Sequence, residues 1–216
     1  MLRNTAGSPL AFGLPSTAQA TSSYVSGRSY LGAVPAANVT VTNANTLVND
    51  TMYGVVGYIN APVTISGMST RTSSSNASVG AALKFAIYAL NSSLAPTSLL
   101  ASTTTGVSVT DLATSTVFGA TFSSNVTFQP GAYLFTVLPT AVTTGVQLCT
   151  YSSIAPWGSF TGGSSASNAL SLNVLCGYTS TGNTYASNPP ATFTANSAAT
   201  AVISVANLPT LSFLVV

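Results

Sequence analysis

From Tyr24 onward the chain alternates short apolar runs with polar breaks, and no run shows the helical recurrence of apolar residues at i, i+3, i+4 and i+7. Residues 52–59 (MYGVVGYI) read as a strand carrying two glycines, and Asn60-Ala61-Pro62 breaks it. Residues 63–68 continue with alternation, and residues 71–80 (RTSSSNASVG) form a polar loop. Leu83, Phe85 and Ile87 alternate with Lys84, Ala86 and Tyr88, the pattern of a strand with one covered face. That reading puts Lys84 on the solvated side.

Residues 117–122 and 126–128 read as short strands, followed by a Gln129-Pro130-Gly131 turn and a strand over 132–138 (AYLFTVL). Residues 91–96 read as a turn, and 103–110 are Thr/Val-rich with weak alternation. Further apolar runs cover 145–151, 169–178, 201–206 and 211–216. The last, LSFLVV, is too apolar to stand free and is expected inside a sheet. Eight to ten short strands are expected, separated by turns at fairly regular intervals. β-branched and aromatic residues dominate these segments, so the expected fold is all-β, an antiparallel β-sandwich or jelly roll with an extended N-terminal arm. Leu83, Phe85, Ile87, Leu134 and Phe213 are expected among its buried residues. No repeat of fixed period is present, which disfavours a solenoid.

Three regions follow: an arm over 1–23, an entry segment over 24–46, and the sandwich over 47–216. The arm is Gly, Pro, Ser, Thr and Ala with few large apolar residues. Leu10, Phe12 and Leu14 alternate between Pro9 and Pro15, as a segment lying in a groove would. With Arg3, they are the residues expected to pin the arm along another subunit. The N-terminus has no apolar core of a signal peptide, so synthesis in the cytoplasm is expected. No run is long and apolar enough for a membrane helix, and no membrane insertion is expected.

Composition narrows the chemistry. Charged residues are 3% of the 216, with four Lys and Arg, two Asp, and neither Glu nor His. Ordinary soluble domains carry about 25% charge. Ser and Thr make up 64 residues. A serine nucleophile needs a base, and only Lys84 is available. Asp50 and Asp111 are the sole carboxylate pair, and each sits at a strand boundary where Asp makes turn hydrogen bonds. No catalytic residue is expected, and the protein is read as not an enzyme. No metal site or cofactor is expected from two Cys and two Asp without His. Four scattered cations cannot build a nucleic-acid groove.

Cys149 and Cys176 each lie in an apolar run and are expected as buried free thiols, although a bridge between them is not settled by sequence. Sequons at Asn38, Asn49, Asn76, Asn91 and Asn125 are expected by chance in a chain so rich in Asn, Ser and Thr. Aromatic residues remain for recognition. Trp157 falls in a Pro/Gly loop, and Tyr178 and Tyr185 flank a polar stretch, so these three are the candidate ligand-binding residues, with a glycan as the candidate ligand. A loop Trp can equally plug the end of a sandwich. A surface so poor in charge suits self-association, and a homo-oligomer, a trimer for choice, is expected.

Residues 84–91 (KFAIYALN), followed by 95–101 (APTSLLA), and residues 128–134 (FQPGAYL) resemble the β-sandwich modules of tailed-bacteriophage surface proteins, found in tail fibres and on capsids. Residues 24–30 and 46–65 are similar to the opening of such modules. The likeness covers residues 24–150 and the rest loosely. Ala86 stands where those modules carry Gly, and Pro96-Thr97-Ser98 where they carry Pro-Gly-x. The resemblance implies a sandwich framework and a place on the virion surface, with no shared catalytic residues. Two roles follow from it. One is a capsid decoration or cement protein, partnered with itself and with the major capsid protein. The other is a tail-fibre or receptor-binding tip that recognises a host glycan.

Overall fold

The computed structural model describes residues 24–31, 41–140, 144–151, 177–196 and 209–216. The chain forms β1 (Ser29–Leu31), β2 (Val41–Thr46), β3 (Thr51–Ile59), β4 (Val63–Arg71), β5 (Ala82–Leu90) and β6 (Pro96–Ser102). It continues through β7 (Val107–Ser108), β8 (Val117–Phe128), β9 (Gly131–Pro139), β10 (Gln147–Tyr151), β11 (Gly177–Thr181) and β12 (Leu211–Val215). The described residues contain no helix. Every strand pairing among the described residues is antiparallel. The fold is an all-β sandwich.

One layer is the sheet β1-β12-β4-β8; the other follows β11-β3-β9-β5-β6, with β7 also on β5. A two-stranded sheet, β10-β2, lies beside them. β1, from the expected entry segment, is therefore an edge of the first layer. β12 lies between β1 and β4, which covers the apolar C-terminal run as expected. Corners carry the chain between layers: Asn60–Pro62 from β3 to β4, and Gln129-Pro130 from β8 to β9. Pro at each corner cannot donate to a ladder, so the strand ends there.

Between the layers, Phe135 of β9 stacks on Phe213 of β12 at 5.8 Å between ring centroids. Tyr24 and Tyr30 extend that aromatic cluster. Leu83, Phe85, Ile87 and Leu134 are buried as expected. On β4 a bulge between Ile65 and Gly67 shifts the alternation by one residue. Ile65, Met68 and Thr70 are therefore all buried, which strict period two would not allow.

β5 departs from the sequence expectation. Ile87 pairs with Phe135 and shares its face, so Lys84, Ala86 and Tyr88 point to the opposite face, away from Phe213. That face is also buried: Lys84 is 6% exposed and Tyr88 is fully enclosed. The solvated position expected for Lys84 is thus corrected. The cover is the segment over 183–196, most of which falls in residues 179–192, a polar stretch by sequence with Asn188-Pro189-Pro190 in it. Leu99 N donates to Ala191 O (2.8 Å) and Phe193 N to Thr97 O (3.1 Å), which lines the segment along β6. Asn196 N donates to Thr179 O of β11 (2.9 Å). β6 and β11 are the two ends of the sheet path, about 19 Å apart if it were flat. The three residues from Phe193 to Asn196 reach at most about 11 Å. The sheet therefore curls around this segment, and Phe193 fills the resulting slot against Tyr88 and Tyr178 (centroids at 5.4 and 6.5 Å).

Candidate functional site

A polar constellation lies at one end of that slot, around Tyr185. Asp50 sits in the turn between β2 and β3, at φ 55°, a left-handed conformation that Asp tolerates better than most residues. Its Oδ1 accepts from Tyr185 N (3.3 Å), and its carbonyl accepts from Asn183 N (3.0 Å). From β5, Lys84 Nζ donates to Tyr185 O (2.9 Å) and to Ser187 O (3.1 Å). The same nitrogen lies 4.9 Å from the centre of the Tyr185 ring. Gly106 completes the enclosure: a Cβ there would collide with the Tyr185 hydroxyl and come within 2.7 Å of Leu83 O. Burial raises the pKa of the Tyr185 phenol.

Deeper in the slot, Tyr88 donates its hydroxyl to Pro190 O (2.9 Å) and Tyr178 to Leu94 O (2.8 Å). Burial pushes both phenols above the ordinary tyrosine range. The sequence reading named Tyr178 and Tyr185 as ligand-binding candidates, and the fold does bring them into one layer. Tyr178 is buried with its hydroxyl bonded internally, and Tyr185 is half-buried over Lys84. Tyr178 therefore presents no open ring face of the kind sugar stacking needs, and Tyr185 has Lys84 against its ring. Trp157, the third candidate, lies outside the described residues, as do Arg3, Leu10, Phe12, Leu14 and Cys176.

The other reactive side chains are similarly engaged. Asp111 Oδ1 accepts from Gly80 N (2.7 Å), tying the 72–81 loop to the 109–116 loop. Neither carboxylate makes the local turn bond expected of it: Asp111 bridges two loops 31 positions apart, and Asp50 reaches across the fold to residue 185. Cys149 is a free, buried thiol that donates to Thr72 O (3.3 Å). Burial raises its pKa, and Arg71 offsets part of the shift. Arg71 Nε donates to Ser115 O (3.1 Å). Asn76, at 3% exposure, donates to Ala113 O and accepts from Ser78 Oγ and Gln147 N. Its sequon is a loop brace. Asn91 likewise accepts from Ser93 N and Ala95 N.

Sequence reasoning missed Lys84, Gly106 and Phe193. A signal for Lys84 was present: β5 reads ALKFAIYAL, a nearly unbroken apolar run, which marks a strand covered on both faces. Nothing local singles out Gly106, whose role depends on a side chain 79 positions away. Among the described residues no group of three or more His, Cys, Asp or Glu comes together, and no helix is long and apolar enough to cross a membrane. In comparisons with known proteins, no family model matches the chain and no curated protein matches it.

Proposed function

We propose that this is a non-enzymatic structural protein on the surface of a phage particle, acting as a capsid decoration protein. One observation carries the non-enzymatic part. Asp50, Lys84, Asp111 and Cys149, the side chains with the most chemical potential, each bond to backbone groups that hold loops in place. Such groups brace a fold; a general acid or base must instead reach a substrate proton. The particle reading rests on the resemblance of residues 84–101 and 128–134 to phage surface modules and on the scarcity of charge, which suits life in an assembly. In this reading the sandwich projects outward as a homo-oligomer. Residues 1–23, with Arg3, Leu10, Phe12 and Leu14, attach it to the shell, and the major capsid protein is the partner. Burial of Tyr178 within the fold removes one of the three residues on which the alternative glycan-reading tip rests.

The test is copy number. A decoration protein occurs at hundreds of copies per particle, whereas a tail tip occurs at a few to tens. Densitometry of purified particles that returned the low number would overturn the decoration reading. Deletion of residues 1–20 is expected to leave unfolding unchanged and to abolish incorporation. Normal loading of the truncated chain would remove the arm as anchor.

A further inference from the structure

The two large sheets end in four outer strands, and three of them are protected. β6 is lined by residues 191–193 and starts with Pro96; β11 is capped by Asn196; β1 is three residues long. Covered, proline-bearing or short edges are the usual defences against strand addition. β8 differs. It spans twelve residues, VFGATFSSNVTF, with no charge and no proline, and pairs with β4 on one side alone among the described strands. Its sole irregularity is a bulge, since Ile65 pairs with Val126 and Gly67 with Thr121. The bulge leaves residues 117–121 as a regular free edge.

The ladder defines what that edge offers. Just beyond the strand ends Thr72 N donates to Thr116 O (2.9 Å), while Thr116 N turns to Thr72 Oγ1 (3.0 Å); by the alternation of an antiparallel ladder, Thr70/Phe118 and Met68/Ala120 are the pairs that exchange bonds across β4 and β8. Val117, Gly119 and Thr121 alternate with them and direct their N–H and C=O groups away from β4. All three residues are exposed, Val117 to 64%. Beside them lies a shallow apolar groove on the outer face of the sheet. Gly67 and Gly119 contribute its bare backbone, and Leu214 and Val117 also line it.

We infer that this edge pairs two copies of the chain, β8 against β8, antiparallel about a two-fold axis at Gly119. The edge is complementary to itself in that register. Val117 of each copy faces Thr121 of the other and Gly119 faces Gly119, so the three outward-pointing residues meet three outward-pointing residues. About six backbone hydrogen bonds result. Gly119 at the centre places no side chain between the strands, and Val117 gains cover from the second copy. Charge does not oppose the pairing. Arg71 is the cross-strand neighbour of Val117, and strand spacing and rise put the two Arg71 residues about 20 Å apart. That exceeds the Debye length of about 8 Å at physiological salt. An isologous two-fold contact closes on itself, so it makes dimers where composition alone suggested a trimer. An edge this short buries less than the about 1,200–2,000 Å² of a standard interface. The dimer should therefore form at high micromolar concentration. The pairing stands whether or not the particle reading holds.

The test uses the full-length chain in sedimentation velocity at high micromolar concentration. In V117E/T121E the carboxylate introduced at position 117 of each copy faces the carboxylate introduced at position 121 of the other, and like charges directly opposite repel. In V117E/T121K each of those carboxylates faces an ammonium group instead. Both positions are exposed, and circular dichroism verifies that the chains fold. Wild type and V117E/T121K should sediment as dimers, and V117E/T121E at half that mass. Hydrogen exchange of wild type gives a second readout that needs no variant: the amides of Val117, Gly119 and Thr121 should become protected as concentration rises. A monomeric or trimeric wild type, assembly of V117E/T121E as in wild type, or failure of both variants alike would overturn the pairing. So would exchange at those amides that is independent of concentration.

Discussion

Asp50 and Lys84 hold the same residue by its two backbone groups: Asp50 accepts the N–H of Tyr185, and Lys84 donates to its carbonyl. Two of the six charges in the chain are thus committed to one residue that lies 135 and 101 positions further along. Their common effect is to hold the covering segment over the outer face of β5 and β9. The Lys84 ammonium brings three N–H donors and no acceptor, which suits a position that faces two carbonyls.

Replacing Lys84 by Met keeps the apolar stem and removes both bonds to the Tyr185 and Ser187 carbonyls. Hydrogen bonds from a charged group contribute about 1.5–3 kcal/mol. The expected result in urea denaturation is a loss of that size, with strand content unchanged by circular dichroism. A Lys84→Met protein as stable as wild type would show that the brace contributes nothing.

Gly106→Ala places a methyl group against the Tyr185 hydroxyl and the Leu83 carbonyl. Overpacking of this kind costs about 1–3 kcal/mol. The expected signs are lower stability and faster proteolysis within residues 182–190. Because the hydroxyl is the nearest obstacle, Tyr185→Phe in the Gly106→Ala background should recover part of the loss. No recovery would place the clash at Leu83 instead.

Phe213 joins the two layers, stacking on Phe135 and contacting Tyr24 and Tyr30. Truncation to Ala is expected to cost about 3–5 kcal/mol. Truncation of exposed Val117 to Ala should change stability by less than about 0.5 kcal/mol. Equal effects at the two sites would contradict the assignment of Phe213 to the core.

Stability should vary little between about pH 6 and 8, because the chain has no His to titrate there. Above that range it should fall. Burial raises the phenol pKa of Tyr88, Tyr53, Tyr24, Tyr178 and Tyr185, and raises the Cys149 thiol. The unfolded chain releases these protons near the ordinary values of about 10 and 8.5, while the folded chain still holds them. Over that window the unfolded state binds fewer protons, so unfolding becomes easier as pH rises. Their contribution is complete below about pH 8.5 and is lost as pH climbs through the folded values. Urea midpoints measured from pH 6 to 11 should trace a plateau and then a decline; a midpoint rising above pH 10 would contradict the burial of these tyrosines.

By itself the sequence determined the secondary structure class and much of the core. Apolar alternation, Pro and Gly breaks, and the absence of helical recurrence are local properties, and they located β3, β5, β9 and β12 and the burial of Phe85, Leu134 and Phe213. The buried thiol of Cys149 was likewise legible from its apolar surroundings. Only the tertiary structure decided which strands share a layer, that the bulge in β4 turns Met68 inward, and that β5 is covered twice. The polar stretch over 183–196 gave no sign of being a cover, since Ser, Thr, Asn and Pro look alike whether they face solvent or hydrogen-bond a curled sheet edge. The site around Tyr185 was illegible for the same reason. Asp50, Lys84, Gly106 and Tyr185 belong to four separate segments, and their meeting follows from the curl of a sheet closed by long-range hydrogen bonds.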